Sequence, residues 1–347
     1  MTSARALAKT ALKRPYEWNL RRGAPAAFQR LYEQYWEAGE VPDEANLMLS
    51  RAIWASDGLL PRQLAHRLAP KFDVGSFADF PQGLLADLNP AEAAAALDKE
   101  GVYRAPTVLD AAAVNDLARF LDAGPAAPRV DSGEAPPSGI PSPSAPTWWM
   151  AAADSIKSPD VRALILERDP VDIVGRYLGV EPMIMSLVLW KSYAWGVADS
   201  SSAQQFHYDY DRASFLKMFV YLSDVGPDNG PHTYVRGSHL RKPTELLDGR
   251  RLTDEEVERH FPRDSWETIC GPKGTVFFAD TQGFHKGERV AEGSRSMLQI
   301  CYASDRFGYV ADPSISAPED SPSDMRPQVL AHPRFFSEMF EPPVRIA

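Results

Sequence analysis

Cysteine is almost missing: Cys270 and Cys301 are the whole complement of a 347-residue chain. Two thiols exclude a disulfide scaffold and fit a reducing compartment, so a cytoplasmic location is expected. Also missing is any apolar run near the ~20 residues of a membrane span, and the start shows no signal-peptide core. Positive charge is in deficit, with 37 Lys and Arg against 47 Asp and Glu and a net charge of −10. That balance disfavours a general nucleic-acid surface and leaves a small-molecule or carrier-attached substrate as the expected partner. Apolar residues are plentiful: 44% over this length can bury a sizeable core, in one large domain or a domain with an extension.

Charge and periodicity divide the chain. Before Glu17 stand Arg5, Lys9, Lys13 and Arg14 with no acid. The aromatics Tyr16, Trp18, Phe28, Tyr32, Tyr35 and Trp36 follow at once, which favours a basic arm or first helix packed on an acidic body over a mitochondrial transit segment. Apolar spacing is helical from Ala26 to about Leu97, which predicts a helical N-terminal extension over 1–90 and a second unit over 91–347. Asn89-Pro90 marks a helix start, Gly101 to Val108 a first strand, and Ala111 to Leu121 a bracing helix. The stretch at about 123–146 is rich in Pro, Gly, Ser and Ala, and reads as a flexible insertion with the reach of a lid. Trp148 and Trp149 after it are expected to pack. A Pro-rich tail from Ser321 carries Phe335, Phe336 and Phe340 to dock it.

The chemistry concentrates in Gln205-Phe206-His207-Tyr208-Asp209-Tyr210. His and Asp two apart on a strand point to one face. One further imidazole completes the 2-His-1-carboxylate facial triad, which favours non-haem Fe(II) and leaves three coordination positions open. The surroundings are β-rich: Met183 to Trp190, Phe215 to Leu222, Thr275 to Ala279 and Ser296 to Tyr302 read as strands. Turn signals separate them at Pro227-Asp228-Asn229-Gly230-Pro231, where Asn-Gly suits a tight hairpin, and at Gly271-Pro272-Lys273-Gly274. Short strands with regular turns suggest a sandwich or barrel. His285 and Arg295 follow in this context.

These blocks, in this order, resemble the phytanoyl-CoA dioxygenase-like family. The carriers are Phe206 to Asp209, Phe219 to Val225, Asn229-Gly230-Pro231 to Arg236-Gly237-Ser238-His239, Gly274 to Asp280, His285-Lys286-Gly287 and Arg295. The resemblance implies an α+β protein with a double-stranded β-helix (jelly-roll) core behind a helical extension. It implies Fe(II) bound by His207, Asp209 and His285, with 2-oxoglutarate and dioxygen as cosubstrates and Arg295 on the distal carboxylate. A planar guanidinium matches a carboxylate in two parallel hydrogen bonds. Lys191, at a strand end, is a further candidate for anchoring the cosubstrate, against the reading of an exposed lysine.

The expected reaction is hydroxylation of an unactivated C–H bond in a small or carrier-attached biosynthetic metabolite, with release of succinate and carbon dioxide. A carboxylate at Asp209 disfavours halogenation, since related halogenases carry a small residue there. A sugar or lipid-linked glycan is an open alternative as substrate, as is a cupin-like isomerase or binding protein without oxygenase chemistry. Among the other histidines, His239 reads as structural and His232 as able to approach the site. His66, His260 and His332 read as surface or core residues.

Overall fold

The computed structural model describes residues 23–85, 87–129, 136–195, 204–247, 249–309 and 315–340. Three helices come first, α1 over 23–38, α2 over Ala45–Ser56 and α3 over Leu59–Leu68. Helix α4, Pro90–Glu100, starts where expected: the Asn89 side chain accepts from the Ala91 and Glu92 amides, and Gly101 ends it in the left-handed region. Strand β1 (Val102–Val108) and helix α5 (Ala111–Ala123) follow, then β2 (Ala127–Arg129) and β3 (Thr147–Met150). Helices α6 (Ala152–Ser155), α7 (Pro159–Leu166) and α8 (Arg168–Leu178) lead into β4 (Met183–Tyr193) and β5 (Phe215–Tyr221). The remainder is β6 (His232–Val235), α9 (Asp254–Glu258), β7 (Trp266–Ile269), β8 (Thr275–Ala279), β9 (His285–Gly287), β10 (Ser294–Ala303) and α10 (Arg326–Ala331). Among the described residues, no helix is long and apolar enough to cross a membrane.

The strands form two antiparallel sheets, one of seven in the order β1-β8-β5-β10-β4-β3-β2 and one of three in the order β7-β6-β9. Strands β1 to β5 all lie in the large sheet; from there the chain crosses to the small sheet for β6 and β7, returns for β8, crosses again for β9 and returns for β10, so the Asn229-Gly230 turn links β5 of the large sheet to β6 of the small one. This corrects the hairpin expectation: the turn crosses between layers, which is what a double-stranded β-helix needs. Gly230 keeps the positive φ foreseen for it, and a Cβ there would lie 2.7 Å from the Glu288 carbonyl oxygen.

Period-two alternation assigns the faces of the large sheet. Leu189, Leu216, Met218, Val220, Val276, Leu298 and Ile300 pack outward against Leu117 and Leu121 of α5, Leu164 of α7 and Val174 of α8. Phe219, Tyr221, Phe277 and Met297 point inward with Tyr234 and Ile269 of the small sheet. Both faces are covered, which is why these strands read as nearly continuous apolar runs.

The N-terminal helices share a core with the β-helix. Phe28, Tyr32, Leu49 and Ile53 cluster with Phe206, Tyr208, Phe284 and Phe307. The stretch expected as an unpacked insertion is in part sheet, because β2 pairs with β3 and Ala126 bridges to Gly139. Its centre, 130–135, lies outside the described residues, as do the basic arm at 1–22 and the last seven residues. The tail docks as expected, with Phe335, Phe336 and Phe340 buried.

Candidate metal centre

His207, Asp209 and His285 converge, their ligand atoms all within 4.8 Å of one another, and are the one such His/Cys/Asp/Glu group among the described residues. An isolated bridge between His207 and His285, with reciprocal backbone hydrogen bonds of 3.0 and 2.9 Å, makes them cross-strand neighbours. Their ring centroids are 4.2 Å apart. The packing just described holds this pairing, because Phe206 and Tyr208 flank His207, Phe284 precedes His285, and all three side chains are buried. Trp54 of α2 reaches in as well, donating its indole N–H to the Tyr208 hydroxyl at 2.8 Å.

The two rings are fixed in tautomer and direction. Nδ1 of His207 lies 3.0 Å from the Gln205 carbonyl oxygen, and Nδ1 of His285 lies 3.0 Å from that of Gly283. Each Nδ1 therefore carries the proton, and each Nε2 presents a lone pair toward Asp209, at 3.8 and 3.6 Å. A carbonyl partner behind each imidazole is the arrangement that orients metal-binding histidines. Burial keeps both imidazoles neutral: with His285 beside it, His207 is pulled down to about 3, and His285 is lowered by burial against the pull of Asp209.

Asp209 has a partner that the sequence reading passed over. Lys217, on the inner face of β5, places Nζ 2.7 Å from Oδ2 of Asp209 and 3.2 Å from Oδ2 of Asp211. Burial works against a charge on Asp209, and the Lys217 ammonium outweighs it, holding the carboxyl below the usual range. Burial likewise works against Lys217, and the two carboxylates raise its pKa in return. The signal was present: a lone lysine inside Phe215-Leu216-Lys217-Met218-Phe219-Val220-Tyr221, every residue of which is buried, requires a buried acid.

Arg295 lies on β10 with its guanidinium buried and, among the described residues, no carboxylate paired with it. It donates from Nη1 to the Gly230 carbonyl, while its Nε has no partner. Burial lowers its pKa, as expected of a cation without a counter-ion. Next to it stands His232 at the start of β6, stacked on His285 at 5.5 Å and also touching the rings of Phe219 and Phe277. Its Nε2 is buried without a partner, and burial followed by His285 and Arg295 keeps the ring neutral.

Lys191 is not part of this assembly. Trp190 takes the inward position on β4, where it meets Phe219, and Lys191 therefore faces the helices. There its Nζ pairs with Asp122 of α5 at 2.7 Å. His239 is structural as expected, with Nε2 at 3.2 Å from the Asp98 carbonyl oxygen, and His332 pairs with Asp79 at 2.8 Å.

No curated protein matches the sequence. Among solved structures, the α-ketoglutarate-dependent epimerase SnoN from nogalamycin biosynthesis is 20% identical with a TM-score of 0.46, over 62% of this chain and 84% of that one. HygX from Streptomyces hygroscopicus, with nickel and 2-oxoglutarate bound, is 20% identical with a TM-score of 0.42, over 67% and 93%. EctD from S. alaskensis with bound Fe is 20% identical with a TM-score of 0.41, over 67% and 82%. A family match reaches further: residues 97–297 fit the phytanoyl-CoA dioxygenase (PhyH) family, whose enzymes use Fe(II), 2-oxoglutarate and dioxygen. With more than half of its length inside that match, the chain belongs to the phytanoyl-CoA dioxygenase (PhyH) family.

Proposed function

We propose that the protein hydroxylates an unactivated C–H bond of a small or carrier-attached biosynthetic metabolite, with His207, Asp209 and His285 holding Fe(II) and Arg295 holding 2-oxoglutarate by its distal carboxylate. The observation that carries this reading is the convergence of three donors within 4.8 Å, with both imidazoles locked in the metal-accepting tautomer. Two neutral nitrogens and one ionised carboxylate form the donor set that suits ferrous iron. When bound, the iron supplies oxidation of the substrate by dioxygen coupled to decarboxylation of 2-oxoglutarate.

The protein's own part is positioning and exclusion. Lys217 keeps Asp209 charged and aimed, the backbone carbonyls hold the imidazoles, and Arg295 offers a buried cation to an incoming carboxylate. The inner wall of Phe219, Tyr221 and Phe277 is buried and keeps water from the space between. Asp209 fills the third ligand position with a carboxylate, which supports hydroxylation over halogenation.

Anaerobic Fe(II) with 2-oxoglutarate should give the weak visible charge-transfer band of a chelated ferrous keto acid in the wild-type protein. In His285→Ala the band should be lost, because two remaining ligands hold iron poorly. Wild-type protein that binds Fe(II) without producing the band defeats the oxygenase reading. Succinate formation across a panel of candidate metabolites then identifies the substrate class.

A further inference from the structure

We propose that His232 is a second anchor for the cosubstrate, donating its Nε2 proton to the same distal carboxylate that Arg295 grips. The inference rests on 2-oxoglutarate being the cosubstrate and adds to that reading a residue outside the metal triad and the arginine.

Several observations point the same way. Arg295 donates to the carbonyl of Gly230, two residues before His232, and the guanidinium is close enough to help keep the His232 ring neutral. The imidazole is fixed there from behind: the His232 amide donates to the Tyr221 hydroxyl at 3.0 Å, and that hydroxyl donates to the Ile269 carbonyl at 2.8 Å. Its ring is wedged between Phe277 and Phe219 at 5.3 Å each and His285 at 5.5 Å, which leaves it little freedom to turn away. His232 is only 7% exposed, yet its Nε2 has no partner, and neither has Nε of Arg295.

Buried donors without acceptors are costly and rare. Arg295 Nε is one such donor, and His232 Nε2 is a second in the tautomer that places its proton there; the pair suits an acceptor with more than one lone pair. A carboxylate meets that requirement, with two oxygens and about four acceptor sites. A spare metal ligand is the competing role for a third imidazole, but His232 is not among the residues whose ligand atoms lie within 4.8 Å of one another.

The test is an anaerobic binding titration of the Fe(II) protein, read by the charge-transfer band, with two keto acids. One is 2-oxoglutarate. The other is 2-oxovalerate, which has the same carbon chain but ends in a methyl group. His232→Leu should weaken 2-oxoglutarate about 10- to 100-fold, the loss of one hydrogen bond to a charged group, while leaving 2-oxovalerate and Fe(II) binding unchanged. His232→Gln, which keeps a donor, should recover part of the loss and serves as the folding control. Equal weakening of both keto acids would place His232 on the metal-chelating end and overturn the proposal, as would unchanged 2-oxoglutarate affinity in His232→Leu. A wild-type protein with no band at all defeats the function reading instead, which separates the two failures.

Discussion

The two polar ends of the inner faces, one at His207, Asp209 and His285 and the other at Arg295 and His232, are built on opposite principles. At the metal end the three side chains are already held: Asp209 by Lys217, and each imidazole Nδ1 by a backbone carbonyl. At the far end Arg295 and His232 are buried with donors left open. If the proposed roles hold, the first end is organised before metal binding, whereas the second gains its acceptor only with the cosubstrate. Removing a partner should be destructive at the first end and nearly harmless at the second.

The largest effect should come from Lys217→Met, which keeps the side-chain length but leaves Asp209 buried without its counter-charge. Breaking one side of a buried pair costs about 3–5 kcal/mol. Urea denaturation of the metal-free protein should show that loss, and a variant as stable as wild type would mean that Asp209 is solvated and the metal end is not preorganised.

Acid should act next. His207 stays neutral in the fold down to about 3, whereas in the unfolded chain it takes up a proton at 6.5. The unfolded state thus binds more protons between those values, so stability is lost as pH falls through that window. At about pH 5 His207 alone should contribute a loss on the order of 2 kcal/mol. His207→Gln should flatten the urea-midpoint profile of the metal-free protein between pH 6.5 and 5; an unchanged slope assigns the acid sensitivity elsewhere.

The smallest effect sharpens the contrast. Arg295→Leu removes a buried cation that has no carboxylate partner, so without 2-oxoglutarate its stability should stay within about 1 kcal/mol of wild type or rise. A loss as large as that expected for Lys217→Met would show that the two ends are built alike.

Much of this was legible in the sequence. The start of α4, the strand that follows it and the helix at Ala111 appeared where capping and periodicity put them. His207 and Asp209 stood out as a His-x-Asp pair and His285 through the family resemblance; the expected strand is only an isolated bridge at Phe206 and His207, and it is the bridge to His285 that brings the three together. The direction of Lys191 was not legible for a physical reason: Leu187-Val188-Leu189-Trp190 is apolar on both faces, so alternation could not say which face looks inward. The roles of Lys217 and His232 depend on which strands of two sheets oppose each other. A single sequence carries that only as an anomaly, here a lysine in an otherwise apolar run.

The core shared by α1 and α2 with Phe206, Tyr208 and Phe284 bears on inheritance as well as on packing. The family match begins at residue 97, beyond these helices, yet they cover the flanks of two proposed iron ligands. The segment recognisable by descent and the segment that shapes the centre thus have different borders. Grafting 97–297 alone onto another protein would carry the ligands without the wall that aligns them.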